Sequence, residues 1–214
     1  RGASVENPTR IEQYRYFSFY REAATLRKAM ERRCSSLIPV PAKPTPQTCP
    51  RVLMTSKLDG VLQDREPSAA LDLADAAAPP AVRAVIARRP LGIAAAVLGL
   101  DVNLVDYFGL ADPIGARLAI TRRRRPGHEQ SFDTVWQAAR YAGPEATRDD
   151  RVLAARNALG CGQLAQLARA IREPLDSRRF LRNMRLAIES RNLRIPHDPR
   201  EAEQSLCTPA LSRL

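Results

Sequence analysis

Apolar and polar positions alternate with a helical period through most of the chain. Residues 8–33, "PTRIEQYRYFSFYREAATLRKAMERR", hold no Gly and no Pro after Pro8, and Thr9 stands where an N-cap belongs. Tyr16, Phe19, Ala23, Leu26 and Met30 recur at 3-4-3-4 spacing, a seam that meets another helix. Tyr14, Phe17 and Tyr20 add a second apolar face. The pattern predicts a long N-terminal helix buried on more than one side, as core or between partner subunits.

Beyond it, "SLIPVPAKPTPQTCP" (36–50) predicts an extended proline-rich arm with no internal hydrogen bonding. Residues 51–64 fit a short strand pair or helical turns equally. Residues 67–80 are helix-prone and stop at Pro79 and Pro80, and 80–120 read as short helices punctuated by Pro90, Gly99 and Pro113. After the loop "AITRRRRPGHEQ", helices are expected at 131–143, 149–160, 163–171, 176–191 and 198–206. The last carries Asp198 as its cap, Pro199 at the first helical position and Glu201 three residues on. Within 176–191, Phe180, Leu181, Met184, Ala187 and Ile188 share one face, while Arg178, Arg182 and Arg185 line another. The expected fold is mainly all-α. Its regions are 1–50 (helix and arm), 51–120 (Ala-rich short helices), 121–130 (basic loop) and 131–214 (helical hairpins).

Composition changes this picture in two ways. Only 5% of residues are aromatic, and much of the apolar content is Ala, so the core is thin and leans on neighbours. The formal net charge of +11 favours an anionic partner, either an acidic protein surface or nucleic-acid phosphate. Arg122, Arg123, Arg124, Arg125, Arg178, Arg182 and Arg185 are the candidate contacts, with Tyr16, Phe19, Leu26 and Met30 as apolar ones. Neither arginine group interleaves aromatics, as base-stacking proteins do, so backbone contact is the form an RNA interaction would take. The longest apolar run, 92–100, ends at Asp101 and falls well short of the roughly 20 residues of a membrane helix.

Candidate chemistry does not add a site. "GCGQLA" (160–165) has the glycine spacing of a dinucleotide loop, but an Ala-rich, helical segment precedes it where a strand is needed. A helix–turn–helix corner is expected there. His128 lies in a polar loop and His197 between prolines, and neither neighbourhood makes a catalytic constellation. Asp149 and Asp150 sit at a helix start, where the helix dipole accounts for them. Cys34, Cys49, Cys161 and Cys207 have no C-x-x-C spacing; a Cys34–Cys49 disulfide is possible, but reduced thiols are expected. No catalytic, metal or cofactor site is expected, and no bound cofactor.

"RVLAARNALGCGQLAQLARAI" resembles the helix, turn and helix of a pentatricopeptide-type repeat, and "MRLAIESRNLRIPHDPREAEQSL" resembles the end of one. "REPLDSRRF" departs from the regular period of such an array. Similar degenerate repeats occur in a small accessory subunit of mitochondrial ATP synthase in some protists, so the resemblance implies protein-binding helices. "SFYREAATLRKAMERR" also resembles the opening helix of small Leu-Tyr-Arg mitochondrial proteins, with Phe19 in place of the leucine. The chain opens on Arg1, which fits removal of a leader on organelle import. The expectation is a non-catalytic accessory subunit of a mitochondrial assembly, of respiratory-chain or ATP-synthase type, on the matrix side. The alternatives are an RNA-contacting organellar ribosomal protein and a nucleotide-dependent enzyme using Gly160 to Ala165.

Overall fold

The structure, a computed structural model, describes residues 18–36, 52–54, 71–72, 82, 84–88, 91–121, 125–126 and 129–208. The chain is mostly helical, with seven α-helices among the described residues: α1 (Ser18–Ser36), α2 (Leu91–Leu98), α3 (Thr134–Tyr141), α4 (Asp150–Leu159), α5 (Gly162–Arg172), α6 (Ser177–Glu189) and α7 (Pro199–Cys207). The strands are β1 (Val52–Met54), β2 (Leu71–Asp72), β3 (Ala84–Arg88) and β4 (Val102–Asp106). The sequence pattern called for a helix over 8–33. The described helix starts at Ser18, residues 8–17 lie outside the described residues, and a helix along the whole segment is not established. The proline-rich arm lies outside them too, save for Ser36, which ends α1.

Where short helices were expected between 80 and 120, the chain forms β3, α2 and β4, a strand–helix–strand unit with parallel strands. The sheet order is β2-β1-β3-β4, with β1 parallel to β3 and antiparallel to β2. β3 is buried on both faces. Ala84 and Ile86 join an apolar cluster with Ala23 and Met30 of α1 and Ala94 and Leu98 of α2, whereas Val85 and Ala87 join the main core around α3. Side chains of a strand alternate between faces, so one strand supplies two cores. Such a strand reads in sequence as a continuous apolar run without alternation, which is how it passed for helix.

α3 is the centre of the main core. All eight of its residues are buried, and Trp136 and Phe132 are the largest fully buried side chains. Asp133 caps it, accepting from the Trp136 N–H at 3.2 Å. At the other end Arg156 of α4 donates to the carbonyls of Ala139 (3.2 Å), Ala142 (2.8 Å) and Gly143 (3.2 Å), which closes the helix C-terminus. Burial lowers the Arg156 pKa. α4 packs on α3 and α7, and Asp149 and Asp198 cap α4 and α7 in turn. Gly160 to Gly162 turn α4 into α5, a helix–turn–helix corner. Cys161 at this corner forms a disulfide with Cys207 at the end of α7, against the expectation of reduced thiols. The two residues are 46 apart in sequence, and only the return of α7 onto α4 brings them together.

Candidate functional site

Two groups of polar residues are held in place by this frame. The first is internal. Asp112, in the loop after β4, accepts from the N–H groups of Ile114 and Gly115 at 2.9 Å each and pairs with Arg140 of α3. Arg140 stacks over the Tyr141 ring, 4.8 Å from its centroid, and its carbonyl accepts from Arg172 of α5 at 3.2 Å. Burial pushes the Tyr141 hydroxyl up to about 12 and lowers Arg172. Asp112, Arg140 and Tyr141 are buried, and their contacts fix the loop to α3 and α5.

The second group is open. A groove of about 460 Å³ runs between α5 and α6, and its walls carry Gln166, Arg169 and Glu173 on one side and Arg179, Arg182, Asn183, Arg185 and Glu189 on the other. Arg179 forms its floor: only 6% exposed, it donates to the Arg169 carbonyl and pairs with Glu173. Its Nε is buried and has no hydrogen-bond partner among the described residues. Asp176 accepts from the Arg179 N–H at 2.7 Å and so starts α6 at the groove mouth. On the rim Glu189 accepts from Arg185 Nε at 2.7 Å and raises the Arg185 pKa. Guanidinium donors, carboxylate acceptors and two side-chain amides in one cleft suit a polyhydroxylated ligand, whose hydroxyls both donate and accept.

The sequence-derived candidates are distributed unevenly over this geometry. Arg182 and Arg185 line the groove; Arg178 is exposed on α6 away from it. Arg125 is exposed in its loop, and Arg122, Arg123, Arg124 and His128 lie outside the described residues. Tyr16 does too, and α1 includes Phe19 in a stretch whose side chains are not among the described ones. Leu26 and Met30, the remaining apolar candidates, pack on the chain's own second core. His197 is fixed through its carbonyl, which accepts from Trp136 Nε1 at 3.0 Å, and its ring lies 3.7 Å from Asp133. Arg179, the residue that forms the groove floor, was missed. Its position in a run of arginines resembles a solvated face, and only Leu186, two turns on, marks the same side as buried.

The described residues contain no helix long and apolar enough to cross a membrane and no His/Cys/Asp/Glu group that could hold a metal ion. Comparison with known proteins decides the family. Over 117 residues, 52% of the chain, it is 32% identical to a terminal beta-(1->2)-arabinofuranosyltransferase of Corynebacterium glutamicum. A second match, 29% identical over 117 residues and 51% of the chain, is to the enzyme of that name from Mycobacterium tuberculosis. The chain covers 17% and 19% of these relatives, less than a fifth of either. No solved structure matches it.

These findings overturn the mitochondrial reading. The relatives are bacterial enzymes, so neither a non-catalytic respiratory-chain or ATP-synthase subunit, nor a matrix location, nor an organellar ribosomal role binding RNA stands. Nor does the nucleotide-dependent enzyme: Gly160 to Ala165 join two helices, without the strand that a dinucleotide loop needs. The pentatricopeptide resemblance fails on geometry as well. α7 folds back onto α4 and is tied to it by Cys161–Cys207, whereas repeat arrays stack each helix pair on the next. A model of the AftB family C-terminal domain matches residues 62–205, well over half of the chain, and the chain belongs to that family.

Proposed function

We propose that this chain works in the transfer of a terminal arabinofuranosyl residue in β-(1→2) linkage, with the α5–α6 groove holding the glycan acceptor. The observation that carries the reading is the 32% identity over 117 residues to an enzyme named for that transfer. In such a reaction the 2-hydroxyl oxygen of the acceptor sugar bonds to the anomeric carbon of an activated donor. The donor's leaving group departs with the electron pair of the broken bond, and the hydroxyl proton passes to a base.

The acceptor's share of this chemistry is orientation, since a furanosyl chain offers several hydroxyls and one must be presented. The groove has the groups for it. Arg182 and Arg185 supply donors, Glu173 and Glu189 supply acceptors, and Gln166 and Asn183 supply both. The Cys161–Cys207 disulfide supports a location in an oxidising compartment, outside the cytoplasm.

The test is transfer by the complete protein that carries this chain, given an activated arabinofuranosyl donor and an arabinofuranosyl oligosaccharide. Linkage analysis is expected to find a new β-(1→2) terminal residue. Arg182→Ala with Asn183→Ala should raise the acceptor KM roughly tenfold or more, with the donor KM unchanged, for two lost hydrogen bonds of about 1 kcal/mol each. A product with another linkage would overturn the assigned reaction. An acceptor KM untouched by the double substitution would remove the groove from it.

A further inference from the structure

The apolar face of α6 points away from the core. Phe180, Leu181, Met184 and Ile188 are 52%, 66%, 54% and 67% exposed, and Leu175, just before the helix, is 68% exposed. The residues that face inward are Arg179 and Leu186, with Ser190 at the C-cap. At 3.6 residues per turn, the inward set lies opposite the apolar ridge. Arg178, Arg182 and Arg185 fall between the two along one flank. The surrounding segment, 169–194, carries eight arginines against three acids, Glu173, Asp176 and Glu189. Each acid is already engaged: Glu173 with Arg179, Asp176 with the helix N-terminus, Glu189 with Arg185.

We propose that α6 is an interfacial helix that docks this domain on an anionic membrane surface. Phe180, Leu181, Met184 and Ile188 enter the boundary between head groups and acyl chains, and Arg178, Arg182 and Arg185 reach the lipid phosphates. The combination of an exposed apolar ridge with a flank of cations is what an in-plane amphipathic helix needs. Arginine stems lie along apolar surface while their heads stay in the polar layer. The excess of arginines over acids in 169–194 is complementary to an anionic leaflet. The ridge is convex and belongs to one helix, a shape that a deformable lipid surface accommodates and that a protein partner meets only with a matching groove. Arg182 and Arg185 also line the groove, so the test uses Leu181, Ile188 and Arg178, which lie outside it, and reads docking apart from acceptor binding.

The experiment is flotation of the 214-residue chain with phosphatidylcholine vesicles, with and without phosphatidylglycerol as a minor component. The expected result is association with the anionic vesicles and little with the neutral ones. Leu181→Gln with Ile188→Gln should lower the partition coefficient at least ~10-fold, from two large apolar side chains no longer buried. Arg178→Gln should lower it about fivefold, the share of one cation near an anionic surface. All three positions are exposed, so the melting temperature should hold, and Leu100→Gln, at an exposed apolar site off α6, should leave binding intact. Failure to float with anionic vesicles would overturn the proposal. So would binding that high salt removes and Leu181→Gln/Ile188→Gln leaves untouched, which would mark attraction of a cationic chain without docking. Self-association dispersed by the same double substitution would assign the ridge to a second copy of the chain.

Discussion

Asp112 and Arg140, 28 residues apart in sequence, form an ion pair buried beneath the surface, with side chains 8% and 7% exposed. Asp112 holds its own loop through two backbone N–H groups, and Arg140 sits on the central helix, so the pair joins the end of the sheet to the α3 body. Removing one partner leaves an uncompensated buried charge, which costs about 3–5 kcal/mol. Arg140→Met and Asp112→Asn should each destabilise by about that amount in denaturant melts. The double variant should be more stable than either alone, because no lone charge is left. Additive losses would show that the pair is not the link.

How much of this was legible in the sequence depends on what each element answers to. α7 was, since Asp198, Pro199 and the apolar spacing that follows are local signals, and the helix starts at Pro199. The α4–α5 corner was as well, from the glycines at 160 and 162. β3 was not: "AVIA" is apolar at every position because both faces are covered, by α1 and α2 on one side and by the α3 core on the other. For α6 the pattern showed the faces correctly but not their direction. An apolar face ordinarily turns inward, and here the inward positions hold Arg179, whose two terminal nitrogens pair with the Arg169 carbonyl and Glu173. The groove needed α5 and α6 side by side, a tertiary fact that no spacing along one helix records.

Gly109 and Gly115 approach closely in the same loop. Gly109 has φ +75°, and a Cβ there would lie 2.7–2.9 Å from backbone atoms of Gly115. Backbone gives way less easily than a side chain. Gly109→Ala should therefore destabilise by at least about 1–3 kcal/mol from the conformation alone, with the clash added. In contrast Gly92, in α2, has nothing within 4 Å of such a Cβ. Gly92→Ala should stabilise by about 0.5–1 kcal/mol through helix propensity. Thermal melts of the two variants should move in opposite directions.

The Cys161–Cys207 disulfide closes a long loop of chain, with a sequence separation of 46. Its removal releases unfolded-chain entropy of about 4 kcal/mol by loop closure, within a usual range of about 2–4 kcal/mol. The paired substitution Cys161→Ser/Cys207→Ser should lower stability by that amount and spare the native far-UV spectrum. An unchanged midpoint would mean that α7 holds to α4 by packing, by the 2.7 Å hydrogen bond from Asn157 to Glu203 and by the Arg200–Asp150 ion pair.

Tyr141 should make the protein alkali-sensitive. Its hydroxyl titrates near 12 in the folded chain, because burial penalises the phenolate, and near 10 when unfolded. Between these values the unfolded chain has lost the proton and the folded one keeps it. Stability is therefore complete below pH 10 and falls as pH rises toward 12, by about 1.4 kcal/mol per unit. Tyr141→Phe should flatten that limb of the stability profile, and a profile with the same alkaline slope would exclude Tyr141 as its source.

The central claim, that the α5–α6 groove seats a glycan acceptor, is tested most directly by arginine Nε–Hε NMR during titration of the chain with an arabinofuranosyl oligosaccharide. The account predicts saturable shifts in the millimolar range confined to the groove arginines, led by Arg182 and Arg185, with Arg178 and Arg125 unmoved. No shift at any attainable concentration, or a uniform drift of all arginine signals, would contradict it.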